Sequence, residues 1–407
     1  QTGFGRTGTV DWQTTPKTAT FTAVSGEGYF CNTSGGAFTV NLPAGSAGAI
    51  VSVADYTRTF QTNNLTVSPN GTEKLGGVNA DAKLSTEGQS VTFVYVDATE
   101  GWINVQDSTS AVQGRLVTPF IIATVSGACN TLATSGDCKI ATFTGPGTFC
   151  VTNEGTGSNQ VVSHMVIAGG GGGGHDDGGG GGAGGFRENE SPVTPYTQSP
   201  LAGGTAVTIS SASAIPITVG AGGVGGVPTV TCNATQGSSS IFSTITSAGG
   251  GLGGRGAPTG GPGGSGGGGG EAVPGGTGNT PPVSPSQGNN GGTGGGANAS
   301  AGGGGAGAVG SNGISSPAGG GAGGAGVTTE INGSSVTRSG GGGGGGFNTP
   351  GAGGSGGGGS GGKYPSTQAT AGTVNTGGGG GGGSTNTGPR DGKSGGSGIV
   401  IIRYKFQ

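Results

Sequence analysis

The sequence predicts an all-β protein with a glycine-rich second half: a small β-sandwich or barrel, a second strand-rich segment, then stacked polyglycine-II-like rods framed by β-strands. Three observations carry this. Glycine supplies 109 of the 407 residues, where an ordinary domain carries ~7%, and most of it follows Cys150 in runs such as 169–174, 340–346 and 377–383. Short runs rich in Val, Ile, Thr and Phe recur between Gly, Asn, Asp and Pro. No segment shows an amphipathic helical period.

In the first 110 residues the strand signals follow one another as ATFTAV, GYFC, AFTVNL, AIVSV, NLTVS, SVTFVYV and WINV. Their spacing reads as a small sandwich or barrel, with Trp102 beside alternating Ile103 and Val105 as a core residue. The polar string DSTSA ends the pattern near residues 107–111. Residues 111–168 hold a second set, LVTPFIIATV, CKIATFTG, TFCVTN and NQVVSHMVIAG, read as a connector whose last strand launches the first glycine run. Inside residues 169–407 lie AVTIS with IPITVG, SSIFSTITSAGG and, at the end, GIVIIRYKF. Strands therefore bracket the glycine region, which a free linker does not need.

A run without side chains buries no apolar surface, so its order must come from backbone hydrogen bonds or not exist. The purest runs begin at Gly266, Gly302, Gly340 and Gly377, and this recurrence argues for a serpentine of rods over a disordered Gly/Ser tract across residues 249–394. A seven-residue rod in the polyproline-II conformation spans about 22 Å. Ordering a residue costs roughly 1–2 kcal/mol against ~0.5–1.5 kcal/mol net per hydrogen bond, so the lattice is expected to lean on its flanking strands, on cross-links or on other subunits. Strict alternation would place the loops 271–290, 327–339 and 363–376 at one end. They carry Glu271, Glu330, Arg338, Lys363 and Tyr364, the candidate receptor-binding residues, chosen because this set is longer and holds a tyrosine beside a lysine.

Other chemistry finds little support. A net charge of −3 from 15 basic and 18 acidic residues, without a basic cluster, excludes a nucleic-acid footprint. No apolar stretch reaches the ~18 residues of a membrane span. The many Gly-x-Gly-x-x-Gly matches follow from composition, and GPRDGKS at 388–394 is one residue short of a phosphate loop. The trio His175, Asp176 and Asp177 reads as a polar turn between rods rather than a metal or acid–base site. Separated carboxylates, Glu188, Glu190, Glu271 and Glu330, are the only opening for a glycosidase. No enzyme activity, metal or cofactor is expected. Cys129 and Cys138 flank the turn-rich NTLATSGD and are the best candidates for a disulfide, the alternative being that all five cysteines are buried small hydrophobes.

The strings VDWQTTPKTATFTAVSGEGYFCNTSGGAFTVNLPAGSAG, TNNLTVSPNGTEKLGGVNA and STEGQSVTFVYVDATEGWINVQDS resemble an N-terminal module of tail-fibre-like virion proteins from marine cyanophages. GDCKIATFTGPGTFCV, VVSHMVIAGGGGGG, PITVGAGG, SSIFSTITSAGGG and GGSGIVIIRY resemble the glycine-rich domain of the same kind of protein. The resemblance implies an external virion protein, a fibre or adhesin, that meets a host surface receptor (an outer-membrane protein or a glycan) through loops on stacked polyglycine helices. It also implies other tail or fibre proteins as partners and a homotrimer. The β domain in front departs from tip adhesins of this type and is read as the attachment to the virion or shaft. Rival readings are an inert architectural filament and a polysaccharide depolymerase.

Overall fold

The computed structural model describes residues 10–108, 120–228, 234–256, 258–385 and 390–407. The chain divides into two compact units, 1–116 and 117–407. In the first, β1 (Asp11–Lys17), β3 (Glu27–Cys31) and β5 (Ile50–Asp55) pair in parallel, and so do β2 (Phe21–Thr22), β4 (Phe38–Asn41) and β6 (Leu65–Ser68). The chain thus passes alternately from one sheet to the other. Antiparallel partners close the winding: β7 (Ala82–Leu84) on β6, and β8 (Ser90–Asp97) with β9 (Gly101–Ser108) on β5. The two sheets are open, which settles the sandwich-or-barrel alternative for a sandwich. Period-two alternation supplies the core: Tyr29 and Cys31, Val51 and Val53, Leu65 and Val67, Val91 and Phe93 all point inward. Trp102 is fully buried among them, its Nε1 donating to Glu73 Oε2 at 3.1 Å.

The second unit is floored by two further sheets. One runs β10 (Ile121–Ser126), β13 (Gly147–Glu154), β17 (Ala214–Thr218), β18 (Ser240–Phe242), β19 (Ile245–Ser247). The other runs β11 (Thr131–Ser135), β12 (Cys138–Phe143), β24 (Ile399–Lys405), β14 (Val161–Ile167), β15 (Phe186–Asn189), with β16 (Val207–Thr208) against β14. Two small hairpins complete the set, β20 (Ile314–Ser315) with β21 (Ala318–Gly319) and β22 (Val327–Thr329) with β23 (Val336–Arg338). The closing strand β24 lies between β12 and β14, Ile402 facing Ala141 on one side and His164 on the other. Within the segment expected as a separate connector, 111–168, the described strands β10 to β14 belong to the floor on which the glycine region stands, because β13 pairs with β17 and both β12 and β14 pair with β24 at the end of the chain. Phe143, Phe149, Val166, Phe242, Val400 and Tyr404 join the two floor sheets in one core. The opposite face of β14 and β24 packs Met165, Ile167 and Ile401 against Ala306, Val327 and Ile331.

The expected Cys129–Cys138 disulfide is absent; both are free thiols. LATS is a strand rather than a loop: Ser135 pairs with Cys138 at the closed end of the β11–β12 hairpin and Thr131 with Thr142 at the open end, with Cys129 beyond it. Thr142 alone is four residues from Cys138, roughly 14 Å along a strand, against disulfide Cα separations of ~4.4–6.8 Å.

Beyond β14 the chain becomes the expected serpentine. The rod at 169–174 shows why it holds. Gly169 and Gly172 donate to Ser238 and Thr235, Gly170 and Gly173 to Gly396 and Lys393, Gly171 and Gly174 to Gly182 and Gly179, at 2.9–3.0 Å. Its carbonyls accept from Gly250 and Gly253, Gly223 and Gly226, Gly380 and Gly383 at 2.8–3.0 Å. Three residues per turn aim successive amides at different neighbours, so this rod is bonded to six others and no polar group is left over. The rod at 178–185 is the axis of the bundle, bonded to the rods at 169–174, 249–254, 265–270, 299–305, 339–346 and 377–384.

Glycine purity tracks neighbour number. The axial rod and the rods at 169–174, 299–305, 339–346 and 377–384 are buried throughout, and a methyl almost anywhere on them would meet a carbonyl. On the peripheral rod 220–226, Ala221 and Val224 stand three residues apart and face solvent, Val224 62% exposed. Rods 308–313 and 368–374 likewise expose Val309 and Val374. This explains the one error in the serpentine. Complete rods at 274–279 and 368–374 lie within the segments 271–290 and 363–376 read as loops, and another at 308–313 was not counted, so strict alternation miscounted the ends.

Candidate recognition surface

Following the rods by their bonds assigns each turn to an end. Turns at 280–286, 306–308, 327–338, 355–357 and 374–377 lie at the sheet end. Turns at 175–177, 255–256 with 258–259, 271–273, 296–298, 314–319, 347–350 and 363–367 lie at the far end. Glu271, Lys363 and Tyr364 thus share the far end, whereas Glu330 and Arg338 stand on the floor. Arg338 is only 6% exposed, so it is no contact residue. It belongs to a buried cluster in which Glu188 accepts from Ser199 N at 3.1 Å and from the Thr329 hydroxyl, with Arg403 over the Tyr196 ring. Glu330 is held by its amide, which donates to Thr197 O at 2.9 Å. Burial pushes the Tyr196 hydroxyl far above its ordinary value, aided by the Glu188 charge and hydrogen bond.

At the far end, four turns form one continuous rim. Phe347 N donates to Asn298 O at 3.1 Å, Asn348 N to Ala318 O at 2.8 Å, Gly320 N to Thr349 O at 2.9 Å and Tyr364 N to Gly346 O at 3.3 Å. On this rim the Phe347 and Tyr364 rings stack with centroids 4.7 Å apart and planes 9° apart. Phe347 remains 39% exposed and Ile314 51%, and Lys363 adjoins the stack through backbone bridges to Gly346 and Thr367. Tyr364 and Lys363, named from the sequence, lie on this rim beside Phe347, which was not named, although its position immediately after a pure glycine run marks it as the first side chain to leave an interior rod.

The trio His175, Asp176 and Asp177 is the turn capping the axial rod, as read, but it is buried rather than solvated: His175 is 2% and Asp177 3% exposed. Asp176 and Asp177 both adopt positive φ, 49° and 53°, a conformation that short polar side chains tolerate. Arg390 donates from Nε and Nη2 to the two Asp176 oxygens, and His175 Nδ1 lies 3.0 Å from Oδ2. Burial works to raise the Asp176 carboxyl, but the bonds from Arg390 and His175 hold it below its ordinary value. Asp177 behaves oppositely. Burial first, then a hydrogen bond with Glu271 and the charges of Glu271 and Asp176, push it up to about 7. Glu271 is half-buried on the turn beside Asp177. Among the described residues no group of three or more His, Cys, Asp or Glu could hold a metal ion, and no helix is long and apolar enough to cross a membrane.

The model of the glycine-rich domain matches residues 142–405, from the last residues of β12 through the rods to the end of β24. No curated protein matches the chain. The match covers more than half of the chain, and the chain belongs to the glycine-rich domain family.

Proposed function

We propose that this chain is a phage fibre or adhesin protein whose rod bundle holds the far-end rim against a receptor on the host cell surface, while the N-terminal sandwich joins the virion or the preceding shaft. The observation that carries this reading is the exposed Phe347–Tyr364 stack. It sits on turns tied to a frame in which interior backbone groups are bonded on all sides, so the rings are presented with little freedom to lose on binding. Recognition by loops on a rigid scaffold is the usual division of labour. The resemblance to cyanophage fibre proteins supports the virion setting. Because the rods satisfy one another within a single chain, the trimer of this proposal assembles outside the bundle.

Adsorption of the purified protein to host cells tests the proposal, comparing the wild type with Phe347→Ala/Tyr364→Ala and with Pro281→Ala in the sheet-end loop 280–286. Loss of adsorption in the rim variant alone is expected. A wild-type protein that fails to adsorb would favour the inert filament, and adsorption that survives the rim variant would remove the rim as the contact.

A further inference from the structure

We propose that the outer face of the sheet containing β1, β3 and β5 is a second binding site, a platform for a neutral pyranose polysaccharide. Trp12 on β1, Phe30 on β3 and Tyr56 just past β5 line this face in succession. Trp12 and Phe30 have ring centroids 4.9 Å apart at 31°, and Phe30 and Tyr56 are 6.2 Å apart and edge-on. Trp12 is 38% and Tyr56 54% exposed, an uncommon concentration of large rings outside a core.

Gly28 explains how Trp12 is held. The two residues are register partners on adjacent parallel strands, and a Cβ at Gly28 would lie 2.7 Å from Trp12 Cδ2 and 2.9 Å from Cε3. The missing side chain lets the indole lie across the sheet, so that it turns a face to solvent. Around the rings the groups are neutral amides and hydroxyls: the Asn32 carboxamide oxygen accepts from Ser34 N, Ser34 Oγ and Thr57 Oγ1 at 3.0, 2.7 and 3.1 Å. The adjacent charges Arg58 and Glu87 neutralise each other at 3.0 Å.

This chemistry selects among ligands that stack on rings. Single-stranded nucleic acid needs a basic groove beside its stacking residues, and the chain carries a net charge of −3 without one. A quaternary ammonium needs rings that enclose it, whereas these lie side by side or edge-on. A protein interface needs a broader apolar centre than three rings bordered by amides and hydroxyls. The apolar face of a pyranose ring, bordered by hydroxyls that meet Asn32 and Thr57, fits what is present.

The chain carries its own reporter, since it has two tryptophans and the other, Trp102, is fully buried. The full-length protein is titrated with cellohexaose, maltohexaose and laminarihexaose, reading tryptophan emission and heat. At least one sugar is expected to shift the solvent-exposed component of emission. Trp12→Ala and Tyr56→Ala should each weaken binding by about tenfold, and Trp12→Phe by less, with unchanged melting curves showing that the fold is kept. Absence of heat and emission change with all three sugars at millimolar concentration overturns the proposal. So does binding that survives Trp12→Ala, or a platform that captures a virion protein in a Trp12-dependent way and no sugar. The titrations are repeated on the Phe347→Ala/Tyr364→Ala protein, so heat from a sugar bound at the far-end rim is separated from heat at this face, and the failure of either reading is distinguishable.

Discussion

Replacing Gly181, in the middle of the axial rod, by alanine tests the bundle at its most crowded point. A Cβ there would lie 2.1 Å from the Gly171 carbonyl oxygen and 2.6 Å from its carbon, where ordinary contact begins near 3.4 Å. The rods cannot part freely, because Gly181 N donates to Gly380 O, Gly342 N donates to Gly181 O and Gly171 N donates to Gly182 O. Overpacking contributes ~1–3 kcal/mol and the weakening of two bonds ~1 kcal/mol each, offset by ~0.4–1 kcal/mol from the stiffer unfolded chain. The net expectation is a loss of about 2–5 kcal/mol, or roughly 3–8 °C in the melting temperature of the glycine-rich unit. Thermal unfolding followed by circular dichroism measures it, with Val224→Ala on the periphery as a control expected to change stability by less than about 0.5 kcal/mol. The same rod already holds Ala183 with 0% exposure, so the cost belongs to a position and not to any methyl. Gly181→Ala melting together with the wild type would refute the close-packed account of the bundle.

Three further outcomes follow from the same structure. Glu188→Ala should destabilise the glycine-rich unit by about 2–4 kcal/mol, because it leaves the buried Ser199 amide and Thr329 hydroxyl without their acceptor; urea unfolding measures it, and Thr328→Ala on the exposed face of β22 serves as the mild comparison. For Asp177, the folded carboxyl titrates near 7 and the unfolded one near 4, so the folded state binds the extra proton between these values. Its contribution to stability is therefore present at low pH and declines as pH rises from about 4 to about 7; the wild-type-minus-Asp177→Asn difference in melting temperature should show that slope, and a flat difference contradicts it. Native alkylation should modify exposed Cys129 while sparing buried Cys31 and Cys138, read by peptide mass spectrometry, and reductant should leave the melting temperature unchanged.

Glycine content, the absence of helical periodicity and the bracketing strands are local properties, and they were enough to specify an all-β protein with rods framed by sheets. The pure runs even marked the interior of the bundle, since a rod with neighbours on every side has no room for Cβ atoms. Where a rod lies at the surface, only the residues facing a neighbour are constrained. Val309, Thr370, Ala371 and Val374 therefore disguised their rods, and with them the count that places each loop at one end or the other. The burial of Arg338 and the stacking of Phe347 on Tyr364 were likewise beyond sequence. They depend on which turns the folded serpentine brings side by side, and residues separated by many rods along the chain meet only after the interior bonds have chosen a single hexagonal order. Composition set what kind of element each stretch could form; the pairing of amides between distant rods decided which side chains share a surface.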